Sequence, residues 1–127
     1  MEVLLVISII GLLSAAGMFV ITNAKGRARD ARRVADVDQL KKALDLYVNQ
    51  SETGYPTTTT SICLDGSDLV NTALMGAGFI SQAIEDPIFQ GTPNCIRYVT
   101  DIDGTNYTIQ YFLETKTIDT PGFHSIP

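Results

Sequence analysis

The spacing of hydrophobic and polar residues changes once within the first fifty positions. Residues 3–24 contain no charged side chain and consist mainly of Val, Leu, Ile and Ala. Further along, apolar residues recur every three or four positions, which is the spacing of one apolar stripe on a helix. The recurring positions are Val34, Val37, Leu40, Leu44 and Tyr47. No proline occurs before Pro56, so the pattern predicts one long helix that ends near Gly54.

The rest of the chain has the pattern of a small β-rich domain. Two runs of β-branched and aromatic residues flank the dipeptide Asp103-Gly104, which predicts an antiparallel hairpin. A short helix is expected over residues 67–75, with Ser67 or Asp68 as its N-cap. Residues 117–127 are expected to add a strand or to wrap the surface.

These elements predict an α+β fold in which a long N-terminal helix packs on a small antiparallel sheet. Its parts are an apolar helix half over residues 1–24, an amphipathic half over residues 25–50, and a head domain over residues 51–127. A helix over residues 3–24 covers roughly 33 Å, about the hydrocarbon thickness of a bilayer. The head domain is too small to wrap a helix that is apolar on every side, so we expect the first half to lie in lipid or among copies of itself. A signal peptide fits poorly, because no basic region precedes the apolar run.

Charge is distributed unevenly over a chain whose net charge is -5. Residues 1–50 carry seven bases and five acids, whereas residues 51–127 carry two bases and nine acids. An acidic head domain argues against a nucleic-acid interface on that domain. Phosphate-binding glycine loops and the common hydrolase, zinc-protease and haem motifs are absent from the sequence. We therefore expect a protein that is not an enzyme, with no catalytic residue and no cofactor.

The first sixteen residues, MEVLLVISIIGLLSAA, resemble the N-terminal signature of type IV pilins and type II secretion pseudopilins. Glu2 matches the glutamate that precedes the apolar helix in that family, and Gly11 matches the glycine of its apolar run. The amphipathic segment and the GYP that follows it are also similar, so the resemblance is specific over residues 1–56. The family has three further residues ahead of the glutamate where this chain has only Met1, so either a leader and three mature residues precede it or the true start differs. The family's frequent mid-helix proline falls at Phe19, which leaves residues 11–17 as the expected place for any local unwinding.

The resemblance implies a structural subunit that polymerises into a type IV pilus-like surface filament serving adhesion, motility or DNA uptake. The subunit would cross the inner membrane once before assembly and would meet identical subunits, the assembly machinery and a prepilin peptidase. Glu2 would dock on the N-terminal amine of an incoming subunit, or pair with its own. The alternative is that Glu2 only lies in the lipid headgroup layer. The small residues that would allow close helix packing are Gly11, Ser14, Ala15, Ala16 and Gly17. The alternatives are a pseudopilin of a secretion or competence machine and, in another class, a membrane-anchored extracytoplasmic binding domain.

A basic cluster follows the apolar residues; it could be a solvated collar of charge, or it could make one of two contacts. Its arginines, Arg27, Arg29, Arg32 and Arg33, could contact the acidic heads of neighbouring subunits. DNA contact is the weaker hypothesis, because no interleaved aromatic residue is present to stack on bases.

Two further features concern the head domain. Cys63 and Cys95 are the only cysteines, and in a small domain outside the cytoplasm they predict a disulfide. With the single His124 far away in sequence, they do not complete a metal site. Asp101 and Asp103 resemble part of a calcium loop, but a plain hairpin turn explains them without a metal.

Overall fold

The computed structural model describes residues 2–51, 53–88, 94–116 and 118–127, with residues 17 and 19 described by their backbone alone. A long helix packs on a four-stranded antiparallel sheet, so the predicted α+β class is confirmed. The elements in chain order are α1 (Glu2–Gln50), β1 (Ile62–Cys63), α2 (Leu69–Gly76), β2 (Arg97–Thr100), β3 (Tyr107–Leu113) and β4 (Gly122–Ile126).

The sheet has the strand order β1-β2-β3-β4, and each strand pairs with its neighbour in the chain. In the predicted hairpin, Tyr98 of β2 lies opposite Ile109 of β3. The tail forms β4, whose Phe123 lies opposite Phe112 of β3 with ring centroids 5.3 Å apart. Both the hairpin and the extra strand are therefore confirmed, and the sheet needs no crossover connection.

The core lies between the second half of α1 and one face of the sheet. Leu40 and Leu44 of the predicted stripe are fully buried in one cluster with Tyr98 and Ile109. The Tyr98 hydroxyl donates a hydrogen bond to the carbonyl of Pro56 at 3.1 Å. A helix stripe and an alternating strand pattern thus meet face to face, which is how an amphipathic helix buries its apolar side.

Two glycines bring the loop after α1 against the β2–β3 turn. The Tyr55 amide donates to the Gly104 carbonyl at 2.9 Å, and a Cβ added at Gly54 would lie 2.5 Å from that oxygen. Gly54 and Gly104 both have positive φ, 81° and 64°. Glycine at both positions therefore permits an approach that another residue would block.

Helix α2 is capped and then fixes the loop that follows it. Asp68 is the N-cap and accepts from the Asn71 amide at 2.9 Å, as predicted. The buried Asn71 side chain donates to the Ile84 carbonyl at 2.9 Å and accepts from the Ile84 amide at 2.7 Å. This paired contact holds the chain just ahead of Asp86.

The predicted disulfide between Cys63 and Cys95 is confirmed. It joins β1 to the residue pair ahead of β2, with Cα atoms 5.7 Å apart and a sequence separation of 32. Closing a loop of that size stabilises the fold by about 3–4 kcal/mol in the chain-entropy treatment. The disulfide therefore braces a domain whose core is small.

Candidate functional site

Residues 2–24 of α1, which we call the apolar segment, lie outside the core. Every described side chain of this segment is exposed. Its most apolar 18-residue window has a mean hydropathy of 2.6, and none of that window is buried. The segment is long and apolar enough to cross a membrane. An apolar surface of this extent on a folded chain marks an interaction with lipid or protein.

The small residues expected to permit close helix packing lie on this exposed surface. Gly11, Ser14, Ala15 and Ala16 are exposed, and a Cβ added at Gly11 would meet nothing within 4 Å. Gly17 lies within α1 and is described by its backbone alone. Positions 11, 14 and 15 share one helix face, because residues three and four apart are neighbours. This face leaves room for a second helix to approach closely.

Glu2 and the backbone of the apolar segment form regular helix. Glu2 is exposed and lies in the first turn of α1, where a negative charge is favoured by the helix dipole. The helix continues without interruption through residues 11–17, the expected place for any unwinding. The Ser8 hydroxyl donates to the Leu4 carbonyl at 2.8 Å, so this polar group has a partner within the helix.

On α1, the stripe of buried positions continues toward the N-terminus beyond the apolar residues of the predicted stripe. Counting back from Val37 by steps of four and three leads to Arg33, Asp30 and Gly26, and all three are buried. A Cβ added at Gly26 would lie 3.0 Å from Cγ2 of Thr115, in the loop after β3. The head domain therefore contacts α1 through charged groups directly beyond the apolar segment.

Five charged residues, which we call the Arg33 cluster, join α1 to the head domain. They are Arg29, Asp30, Arg33, Asp86 and Glu114. The Arg33 side chain is 1% exposed and donates to both carboxylate oxygens of Asp86, at 2.6 and 3.0 Å. It also donates to Asp30 at 3.0 Å and to Glu114 at 2.7 Å. A two-pronged guanidinium contact of this kind fixes orientation as well as distance.

Asp30 and Glu114 complete the cluster on its other side. Asp30 accepts from the Glu114 amide at 2.9 Å, and from the Thr115 amide and hydroxyl at 2.7 Å each. Arg29 donates to Glu114 through Nε at 3.1 Å and also through Nη2. Each buried side-chain polar atom in the described residues has a partner. Full satisfaction matters because an unpaired buried charge would be strongly destabilising.

The surroundings of these carboxylates shift their pKa values downward. Burial acts to raise the pKa of Asp30, but hydrogen bonds from Glu114 and Thr115 outweigh it, and the pKa lies below its usual value. Hydrogen bonding from Arg29 is the main cause that lowers the pKa of Glu114. Both groups are therefore held in the ionised form that pairs with the arginines.

The four predicted arginines thus divide into two pairs. Arg29 and Arg33 were expected to contact neighbouring subunits or DNA. For Arg33 this expectation is wrong, because its guanidinium is buried against carboxylates of its own chain. Arg29 also pairs with a carboxylate of its own chain, that of Glu114. Arg32 is 64% exposed in its side chain and lies 3.6 Å from Asp36. Arg27 is exposed and forms no ion pair with any described residue. Arg27 and Arg32 are left as candidates for an outward contact.

The weak calcium candidates lie in the β2–β3 turn. The Asp101 carboxylate accepts from the Asn106 side chain at 3.0 Å, and the Asp101 carbonyl accepts from the Gly104 amide at 3.1 Å. Asp103 lies in the same turn. Within the described ranges, no group of three or more His, Cys, Asp or Glu residues is placed to hold a metal ion.

Comparison with family models, curated proteins and solved structures found no match to this chain. The likeness to pilins therefore remains a resemblance over residues 1–56.

The Arg33 cluster was missed by the sequence analysis, although α1 contains a sign of it. The apolar stripe through Val37, Leu40 and Leu44 extrapolates at the same spacing to Arg33 and Asp30, so a buried ion pair one helix turn apart could have been predicted. Asp86 and Glu114 could not, because their sequence separations of 53 and 81 residues from Arg33 carry no local pattern.

Proposed function

We propose that this chain is a structural subunit that polymerises into a type IV pilus-like filament on the cell surface. The observation that carries the proposal is the exposed apolar segment, which continues as one helix into a half that is packed on the head domain. The apolar segment of α1 is exposed at every described side chain, whereas the second half of the helix is already packed on the head domain. Copies of the same segment supply matching cover for one another.

Assembly would transfer the apolar segment from lipid to a bundle of identical segments. Lipid tails and side chains are about equally apolar, so close packing rather than the hydrophobic effect would favour the bundle. Gly11, Ser14 and Ala15 support this step because small side chains let helix backbones approach closely. The acidic heads would then lie outside the bundle, in water.

Glu2 would set the position of each incoming subunit along the filament. A carboxylate that enters an apolar bundle is costly unless it meets a positive partner. The N-terminal amine of a neighbouring subunit is such a partner. Once the pair forms, the axial step between subunits is fixed by the position of Glu2 in the first turn of α1.

The test is to express the full chain with a pilus assembly system and to image the sheared and membrane fractions by electron microscopy. We expect filaments from the wild type, and none or few from Glu2→Ala, with both proteins still inserted in the membrane. Asp45→Ala removes an exposed acid of the same helix and is the matched control. It should leave filament yield unchanged.

Three outcomes separate the alternatives. Long filaments support the proposal, whereas only short membrane-bound assemblies would favour a pseudopilin. Monomers alone in the membrane would contradict polymerisation and favour a single-pass anchored binding domain. Normal filaments from Glu2→Ala would remove the docking role of Glu2 while leaving polymerisation intact.

A further inference from the structure

A groove opens where the apolar segment ends and the head domain begins. We call it the basal groove; its volume is about 490 Å³. It lies between α1 and the loop that joins β3 to β4. Its lining residues are Asn23, Arg27, Glu114, Thr115, Lys116 and Pro121.

The charges that face the basal groove favour an anion. Arg27 and Lys116 are both exposed, and neither forms an ion pair with any residue in the described ranges. Glu114 is the one carboxylate among these lining residues, and its oxygens already accept hydrogen bonds from Arg29 and Arg33. Two cations are therefore left to an incoming ligand.

A second, smaller groove of about 240 Å³ continues from the first along α1. It shares Asn23 and Arg27 with the basal groove and is completed by Val20 and Ala24 of the apolar segment. A cationic recess thus leads directly into an apolar one. A cationic groove next to an apolar one is complementary to a ligand with an anionic head and a hydrocarbon tail.

We propose that the basal groove binds the headgroup of an anionic phospholipid while the apolar segment crosses the membrane. The inference rests on the membrane-held stage of the proposed function. The phosphodiester lies between Arg27 and Lys116, and the acyl chain follows Val20 and Ala24 into the bilayer. Phosphatidylcholine carries the same phosphodiester but brings a quaternary ammonium toward these two cations, so it binds less well.

The test uses the full chain in phosphatidylcholine vesicles that contain a trace of spin-labelled lipid. Electron paramagnetic resonance measures the motionally restricted fraction of labelled phosphatidylglycerol and, separately, of labelled phosphatidylcholine. We expect phosphatidylglycerol to be preferred by about fivefold, the size of effect of a cationic side chain at a membrane surface. The double variant Arg27→Gln with Lys116→Gln should associate with both lipids about equally.

Lys25→Gln is the matched control for Arg27→Gln. It removes one charge at the same depth, but Lys25 lies two positions from both Asn23 and Arg27 and so faces away from the groove. An equal loss in both single variants would show general surface attraction and would overturn the groove. Millimolar inorganic phosphate at constant ionic strength should not displace the lipid, and displacement would equally contradict a site for lipid. Insertion without lipid preference refutes this inference alone, whereas failure to insert refutes the membrane stage as well.

Discussion

Arg33 is the side chain on which the junction between α1 and the head domain most depends. It contacts three carboxylates from three parts of the chain: Asp30 in α1, Asp86 ahead of β2, and Glu114 after β3. A buried guanidinium is stable only with such complete pairing. The main effect of the cluster is therefore to fix the orientation of the head domain on α1, and its net contribution to the free energy of folding is secondary.

Replacing Arg33 with methionine should destabilise the head domain by about 3–5 kcal/mol, because buried carboxylates lose their cation. Urea unfolding of the full chain in detergent micelles, followed by near-ultraviolet circular dichroism, measures the change. Arg32→Met removes an exposed partner of Asp36 and should stay within about 0.5 kcal/mol of the wild type. Similar losses from both variants would contradict the role given to the cluster.

Stability should fall as the pH drops below about 5. Asp30 and Glu114 have usual pKa values of 3.8 and 4.5, and folding lowers both. The unfolded chain then binds protons more readily, so these groups stabilise the fold above their usual pKa and lose that effect as the pH passes through the folded values. Asp36 opposes the trend in part, because burial raises its pKa.

The urea midpoint, measured at a series of pH values, reports this dependence. Asp30→Asn should flatten the acid limb of the curve, whereas Asp38→Asn removes an exposed acid of the same helix and serves as the comparison. An unchanged acid limb in Asp30→Asn would show that other groups control acid unfolding.

Helix α1 is one secondary-structure element with two different environments. Its first half is exposed on all described sides, and its second half presents a single buried stripe from Gly26 to Leu44. Two glycines in these halves therefore have different purposes. Gly26 makes room for Thr115 within the chain, whereas Gly11 has open space around it.

The same substitution at these two glycines should have different effects. Gly26→Val should destabilise the head domain by about 1–3 kcal/mol, because the added side chain overlaps Thr115. Gly11→Val should leave head stability within about 0.5 kcal/mol, and under the proposed function it should lower filament yield. Urea unfolding and electron microscopy of the two variants provide the measurements. A stable head in Gly26→Val would mean that the loop at Thr115 yields easily.

Much of this architecture could be predicted from local patterns. The apolar run, the stripe through Leu40 and Leu44, the Asp68 cap and the hairpin around Gly104 each follow from spacing or turn chemistry within a short window. The contact of Gly54 with Gly104 and the pairing of Arg33 with Asp86 depend on tertiary packing between distant segments. Such long-range contacts leave no periodic trace in a single sequence.

The chain as a whole combines a head held by tertiary contacts with a segment that needs an external apolar phase. All five tyrosines lie between residues 47 and 111, in or beside the head domain. The tyrosine band of the near-ultraviolet circular dichroism spectrum therefore reports the head domain and the part of α1 packed on it. Far-ultraviolet circular dichroism reports both parts, so the two can be followed separately in one sample.

Heating the full chain in detergent should abolish the tyrosine signal while roughly half of the α1 helical signal persists. The apolar segment keeps its helical hydrogen bonds in the micelle, where no water competes for them. Parallel scans at both wavelengths would show the difference. Loss of both signals in one transition would mean that the segment depends on the head for its helical structure.

The rigid junction at Arg33 has a geometric consequence for any assembly of this chain. Because Asp86 and Glu114 clamp the head to one side of α1, the rotation of each rod about its own axis dictates which way its head points. When neighbouring α1 helices pack in a regular assembly, their packing would therefore also fix the orientation of the head domains on its surface. The surface that such an assembly presents to solvent would thus be determined by the helix packing at its centre.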